Sequence, residues 1–130
     1  MKLSHVCLKT KNLTSLAGFY EKKMGFTPIH RFISSKGETY GYFFKTTQGS
    51  FLEILKCQLP TKRSQGKIDH ICFAVKNLKN YHKKMQKFSG LTPIQRGKTD
   101  KVRRFQVHDP DGNVIEFHSF DRHCVQYQHR

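Results

Sequence analysis

The sequence repeats itself at a constant spacing of 65 residues. The segments 5–8, 11–13 and 25–31 recur in similar form at 70–73, 76–78 and 90–96. Three matches in one register indicate two copies of one structural unit of about 60 residues. A chain of 130 residues has room for one such paired domain. We therefore predict a single domain over residues 1–130, with repeats at about 1–60 and 66–120 and a tail at 121–130.

Each repeat has the apolar pattern of one strand, one helix and three further strands. The predicted strands lie at about 3–9, 28–34, 39–46 and 50–56, and then at about 68–75, 93–97, 102–108 and 113–119. Residues on the apolar faces of the two helices are Leu16, Phe19, Tyr20 and Met24, and then Leu78, Tyr81, Met85 and Phe88. This order predicts an α+β fold built from two βαβββ repeats.

Glycine and other turn-forming residues mark the ends of these elements. Gly25 and Gly90 are placed to end the two helices. Asp109–Asn113 separates two apolar runs with the residues that tight turns favour, so the last two strands are predicted to form a hairpin. Ser64–Gly66 marks the linker between the repeats.

Composition excludes several classes of protein. Leu, Ile, Val and Phe make up 33 of 130 residues, about a quarter, which exceeds the level typical of disordered chains. No apolar run is long enough to span a membrane, and the N-terminus lacks a secretory apolar region. Cys7 and Cys72 lie inside apolar runs and no Cys-x-x-Cys occurs, so we expect reduced, partly buried thiols in a cytoplasmic protein.

The net charge of +15 favours anionic partners, and we expect a small anionic substrate and not nucleic acid despite this charge. The basic residues are spread along the whole chain, and their densest groups lie at 83–87 and 98–104. No aromatic-rich RNA-binding motif or basic zipper accompanies them. We interpret most of this charge as a solvated surface.

Four ligand-type residues occupy equivalent places in the two repeats. His5 and His70 lie in the first strands, and Glu53 and Glu116 lie in the last strands. A carboxylate inside an apolar strand needs a partner, because burying it unpaired is costly. If a twofold axis relates the repeats, two imidazoles and two carboxylates meet at one centre. Such a nitrogen and oxygen set suits Ni²⁺, Zn²⁺, Co²⁺, Mn²⁺ or Fe²⁺.

These features resemble the vicinal oxygen chelate superfamily, which includes glyoxalase I, bleomycin-resistance proteins and extradiol dioxygenases. The resemblance covers about residues 2–119 and is carried by segments 4–6, 51–54, 69–71 and 109–117. It implies a curled mixed sheet around a metal-binding cup, and it implies a homodimer whose subunits share the metal ligands. Bacterial glyoxalase I has the ligand order His, Glu, His, Glu, which here corresponds to His5, Glu53, His70 and Glu116.

The resemblance also implies roles for individual residues. A metal-chelated α-hydroxy carbonyl would lose a carbon proton to Glu116, with Glu53 acting from the opposite face. With methylglyoxal and glutathione the product is lactoylglutathione. Glyoxalase I usually has Arg where this chain has Lys9, and Asn where it has Cys57. Lys9, Arg103 and Arg104 are the candidates for binding an anionic substrate. We expect a metal partner, most often Ni²⁺ or Zn²⁺.

Two other functions stay open. An Fe²⁺ extradiol-type dioxygenase of the same fold is one, although Glu53 argues against it. The other is a non-enzymatic module that binds an anionic ligand through its basic surface. His118 follows Glu116 on the same strand face, where it is either a partner of the metal ligands or a surface histidine.

Overall fold

The computed structural model describes residues 4–46, 50–57, 68, 70–98, 100–120 and 122–123. The chain divides into two compact units, Met1–Ser64 and Gln65–Arg130. The predicted linker at 64–66 and nearly all of the predicted tail lie outside the described residues. No helix among the described residues is long and apolar enough to cross a membrane.

The first unit contains one four-stranded mixed sheet. Its elements are β1 (His5–Thr10), α1 (Leu13–Gly18), β2 (Thr27–Ile33), β3 (Thr39–Lys45) and β4 (Phe51–Lys56). The strand order is β1-β4-β3-β2, with β1 parallel to β4 and the other pairs antiparallel. Leu52 and Ile54 of β4 are buried with Leu16 of α1, because alternate strand residues face the same side. Glu53, which lies between them in β4, is on the opposite face of the strand.

The first helix changes its hydrogen-bond pattern halfway along. After α1 the chain continues as a π-helical segment, Phe19–Lys23, in which the N–H of Met24 donates to the carbonyl of Phe19 at 3.0 Å. Phe19 and Tyr20, the first two residues of this segment, are both buried. The sequence predicted one regular helix here, and periodicity alone does not distinguish an α turn from a π turn.

The second unit repeats the same architecture. Its elements are β5 (His70–Ala74), α2 (Leu78–Lys84), β6 (Gln95–Arg96), β7 (Arg103–His108) and β8 (Val114–Ser119), in the strand order β5-β8-β7-β6. β8 pairs with β5 in parallel and with β7 antiparallel. Phe105 and Phe117 stack at 5.0 Å between ring centroids and are each 1% exposed. The α+β fold of two βαβββ repeats is therefore confirmed, with one mixed sheet in each unit.

The second helix is shorter than predicted. It ends at Lys84, and residues 85–90 form turns instead of continuing to Gly90. The N–H of Phe88 donates to the carbonyl of Met85, three residues earlier, at 3.0 Å. This bond closes a tighter turn than the α-helical bond, which spans four residues. Met85 remains buried after the helix has ended, so its apolar spacing extended the prediction too far.

The predicted hairpin between β7 and β8 is confirmed. The Asp109 side chain accepts hydrogen bonds from the backbone N–H of Asp111 at 3.0 Å and of Asn113 at 2.9 Å. Gly112 has a φ of 81°, a conformation that glycine adopts without strain. This turn fixes the register that places Glu116 opposite Gln106.

Gly90→Ala is expected to destabilise the second unit more than Gly112→Ala does. Both positions have a positive φ, 68° and 81°, which costs a residue with a Cβ about 1–2 kcal/mol. A Cβ at Gly90 would also lie 2.6 Å from Cγ of His108, whereas one at Gly112 meets nothing within 4 Å. This overlap adds about 1–3 kcal/mol. Urea unfolding of both variants measures the difference, and equal losses would contradict the predicted clash.

Candidate metal centre

The first unit pairs His5 with Glu53. Parallel pairing sets Cys7 opposite Glu53, with His5 two residues earlier on the same strand face. Nε2 of His5 lies 3.9 Å from Oε2 of Glu53. The predicted ligands of the first repeat are therefore neighbours on the face of the sheet opposite α1.

Aromatic rings border this first pair. The His5 ring contacts Phe43 edge-on at 5.5 Å between centroids, and Phe43 stacks on Phe51 at 5.5 Å. Cys7 is an exposed residue, not a partly buried one. Although the residue as a whole is exposed, partial burial of its thiol group, a hydrogen bond to Glu53 and the charge of that carboxylate raise the pKa of Cys7 to about 11. Glu53 thus has an apolar border and a protonated thiol beside it.

The second unit pairs His70 with Glu116 in the same way. Nε2 of His70 lies 4.0 Å from Oε1 of Glu116, whose side chain is only 8% exposed against 20% for Glu53. The pair lines an open recess of about 490 Å³. The residues around this recess are His70, Cys72, Asp100, Val102, Arg104, Gln106, Glu116 and His118.

Polar side chains bind one oxygen of the Glu116 carboxylate. The side-chain amide of Gln106 donates to its Oε2 at 3.2 Å, and Nε of Arg104 lies 3.8 Å from the same oxygen. Arg104 in turn donates to Oδ2 of Asp100 at 3.0 Å. These partners compensate for the burial of the Glu116 charge. They leave Oε1 on the side of His70.

Two more ligand-type atoms lie beside Glu116. One ligand atom from each of Cys72, Glu116 and His118 lies within 4.8 Å of the others. Burial, followed by the charge and hydrogen bonding of Glu116, raises the pKa of Cys72 to about 12. Burial lowers the pKa of His118, which favours the neutral imidazole that a metal binds. Sequence reasoning left the role of His118 open and interpreted Cys72 only as an apolar-strand thiol.

Both His–Glu pairs fit a divalent metal by donor type and spacing. Metal bonds to imidazole nitrogen and carboxylate oxygen are about 2.0–2.2 Å, so two such donors on one ion lie up to about 4.3 Å apart. The observed 3.9 Å and 4.0 Å fall inside this range. Each pair alone supplies two ligands, which is fewer than a stable site needs.

The predicted substrate-binding residues fall in different places. Lys9 is exposed and lies on the His5 face of β1. Arg104 lines the recess, as a substrate-binding residue would. Arg103 neighbours it in sequence but lies on the other face of β7, the face of Phe105, and is not among the residues lining the recess.

Sequence reasoning did not select Gln106, Asp100 or Cys72. A signal for Cys72 was present, because Cys7 and Cys72 match in the repeat and each follows a predicted ligand by two residues. Alternation of side chains along a strand puts a residue at that spacing on the ligand's face. Gln106 had no such signal, since its repeat equivalent across the sheet is Phe43.

Solved structures share the fold of this chain. A glyoxalase family protein from Enterococcus faecalis is 21% identical, with a TM-score of 0.74 over 90% of this chain and 96% of its own. Lactoylglutathione lyase from Agrobacterium tumefaciens is 14% identical, with a TM-score of 0.69 over 91% and 92%. The fosfomycin resistance protein FosX from Listeria monocytogenes is 18% identical, with a TM-score of 0.70 over 94% and 95%.

No curated protein matches the sequence. A family model does match, and it spans residues 2–117, almost the whole described chain. That span contains nearly all of both repeats and all four predicted metal ligands. The chain belongs to the Glyoxalase/Bleomycin resistance protein/Dioxygenase superfamily.

Proposed function

We propose that this protein is a metal-dependent, glyoxalase-like lyase or isomerase that moves a proton between adjacent carbons of an α-hydroxy carbonyl. The observation that carries the proposal is the pair of repeat-equivalent His–Glu contacts, at 3.9 Å and 4.0 Å. A histidine nitrogen beside a carboxylate oxygen is a metal-ligand arrangement, and its recurrence in both units makes a chance contact a poor explanation.

His5, Glu53, His70 and Glu116 are the residues we propose to hold one divalent metal, with Ni²⁺ and Zn²⁺ preferred. The metal would supply a Lewis acid for negative charge that develops on adjacent substrate oxygens. Following the family resemblance, we expect a homodimer in which the ligands of one site come from both subunits. The set contains four ligands, one more than extradiol dioxygenases typically use.

Glu116 is the proposed general base. Its carboxylate takes the proton from one substrate carbon and returns it to the neighbouring carbon, so that no net proton is consumed. Gln106 and Arg104 hold one oxygen of Glu116, so the other oxygen, which lies beside His70, would loosen from the metal to take the proton. Glu53 acts from the opposite face of the substrate.

An anionic substrate is proposed from the charge of the site. Arg104 in the recess and Lys9 on the His5 face are the cations that would meet it, within a chain of net charge +15. The hemithioacetal of methylglyoxal and glutathione is the first substrate to test. Lys9 keeps the positive charge of the usual arginine but lacks its two-pronged hydrogen bonding.

The metal content of untagged protein tests the proposal. We expect about one transition metal per chain in the wild type, and its loss in the His5→Ala/His70→Ala double variant, because each unit then keeps only one proposed ligand. Mass spectrometry of the purified proteins measures this. Loss of all the metal in either His5→Ala or His70→Ala alone supports one shared centre. Loss of half of the metal in each single variant supports two separate centres.

His30→Ala is the matched control, because His30 is an exposed histidine of β2. Its metal content is expected to equal that of the wild type. Wild-type protein without metal, even after reloading with Ni²⁺, Zn²⁺ or Fe²⁺, would overturn the proposed function and favour a binding module. Loaded protein that consumes oxygen with a catechol and isomerises no hydroxy carbonyl would favour the dioxygenase.

A further inference from the structure

The second unit carries a sulfur donor that the proposed ligand set does not use. Cys72 lies opposite Glu116 on the adjacent parallel strand, and His118 follows Glu116 by two residues on the same face. Their ligand atoms and that of Glu116 lie within 4.8 Å of one another. All three residues line the same recess, next to His70.

We propose that Cys72 and His118 bind the same ion as His70 and Glu116, and that the sulfur donor makes this a site for a thiophilic divalent metal, Zn²⁺ or Co²⁺. The inference rests on the proposed function for the presence of a metal and assigns this chain a thiolate ligand. Binding breaks the S–H bond of Cys72, the sulfur keeps the electron pair as the metal ligand, and the proton leaves to solvent.

The spacing of the three atoms suits one ion. Zinc bonds to thiolate sulfur at about 2.3 Å and to nitrogen or oxygen at about 2.0–2.2 Å, so donors of one ion lie up to about 4.5 Å apart. The upper bound of 4.8 Å on the observed spacing is close to this limit, so the three donors need little movement to bind one ion.

The first unit lacks the third donor. Cys7 and Glu53 occupy the positions equivalent to Cys72 and Glu116, but Leu55 stands where the second unit has His118. The apolar Phe43 likewise replaces Gln106 beside the carboxylate. The thiolate is therefore assigned to Cys72 and not to Cys7.

The donor set predicts a metal preference. Thiolate ligands favour Zn²⁺ and Co²⁺ over hard ions such as Mn²⁺ and Mg²⁺. Two imidazoles and two carboxylates without sulfur discriminate less strongly against Mn²⁺. A thiolate set would therefore show itself in the spectrum of a bound ion, independently of any catalytic activity.

Titration of the full-length protein with Co²⁺ tests the proposal by absorption spectroscopy. We expect visible ligand-field bands, which report bound Co²⁺, together with a near-ultraviolet thiolate-to-cobalt charge-transfer band. Cys72→Ser should remove the charge-transfer band, and a Cys7→Ser/Cys57→Ser/Cys124→Ser variant that keeps only Cys72 should retain it. His118→Asn should weaken Co²⁺ binding by roughly 10-fold or more, while His30→Asn leaves it unchanged.

The outcomes separate this inference from the proposed function. Ligand-field bands without a charge-transfer band in folded wild-type protein overturn the thiolate ligand and leave the metal site standing. A charge-transfer band that follows Cys7 instead of Cys72 also overturns it. Absence of any Co²⁺ spectrum overturns the metal site itself. Circular dichroism of each variant verifies folding, and if Cys72→Ser unfolds, the variant that keeps only Cys72 decides whether this thiol is the ligand.

Discussion

Glu116→Gln is expected to lower kcat for the proposed isomerisation by about 10²–10⁴-fold, the usual contribution of a general base. Glutamine keeps the size of the side chain and its hydrogen bond with Gln106, but its amide does not accept a proton from carbon at neutral pH. Turnover is measured with the hemithioacetal at saturating Ni²⁺ or Zn²⁺, so that weaker metal binding does not imitate loss of the base.

Glu53→Gln is the matched control, because Glu53 is the repeat-equivalent carboxylate beside the repeat-equivalent histidine. We expect its effect on kcat to be smaller than that of Glu116→Gln. The reverse order would transfer the role of base to Glu53. A Glu116→Gln protein that keeps both its metal and full turnover would exclude Glu116 as the base.

Phe117→Ala is expected to destabilise the second unit by about 3–5 kcal/mol, the usual cost of removing a buried aromatic side chain. Phe117 is 1% exposed and stacks on Phe105, with Tyr81 of α2 at 5.8 Å between ring centroids. Its removal leaves a cavity where α2 meets β7 and β8. Equilibrium unfolding in urea measures the loss.

Phe88→Ala provides the comparison, since Phe88 is only half-buried in the turns that follow α2. Its truncation removes less contact area and is expected to cost less. Phe117 also neighbours Glu116 in β8, so metal content should fall together with stability. An equal loss of stability in the two variants would show that the Phe105–Phe117 stack is not the centre of this core.

The sequence alone determined the architecture, because its signals are local. The 65-residue repeat predicted two equivalent units, and it placed Glu53 and Glu116 in equivalent last strands. Gly112 and Asp109 predicted the hairpin, since few other residues satisfy that backbone conformation. The four proposed metal ligands came from the same local reasoning. Their contacts within each unit, His5 with Glu53 and His70 with Glu116, agree with it.

The end of α2 and the π-helical segment were beyond local reasoning. Apolar spacing continues past Lys84 to Met85 and Phe88. Met85 is nevertheless buried while it lies in a turn, so its apolar character does not require a helix at this position. Phe19 and Tyr20 are both buried, as a regular helix face also predicts, so their apolar pattern carries no signal for the π turn. In both cases the core selects the backbone conformation, and the sequence pattern records only that a residue is apolar.

Only the tertiary structure decided how the two equivalent glutamates differ. Glu116 meets Gln106 and Arg104, whereas Glu53 faces Phe43 and Gly41 at the equivalent positions. Cys72 likewise became a neighbour of Glu116 through the pairing of β5 with β8, whereas His118 lies on the Glu116 strand itself. The physical reason is that side-chain alternation, which is local, sets the face on which a residue lies. Strand order and register, which depend on contacts between distant segments, set what it meets there.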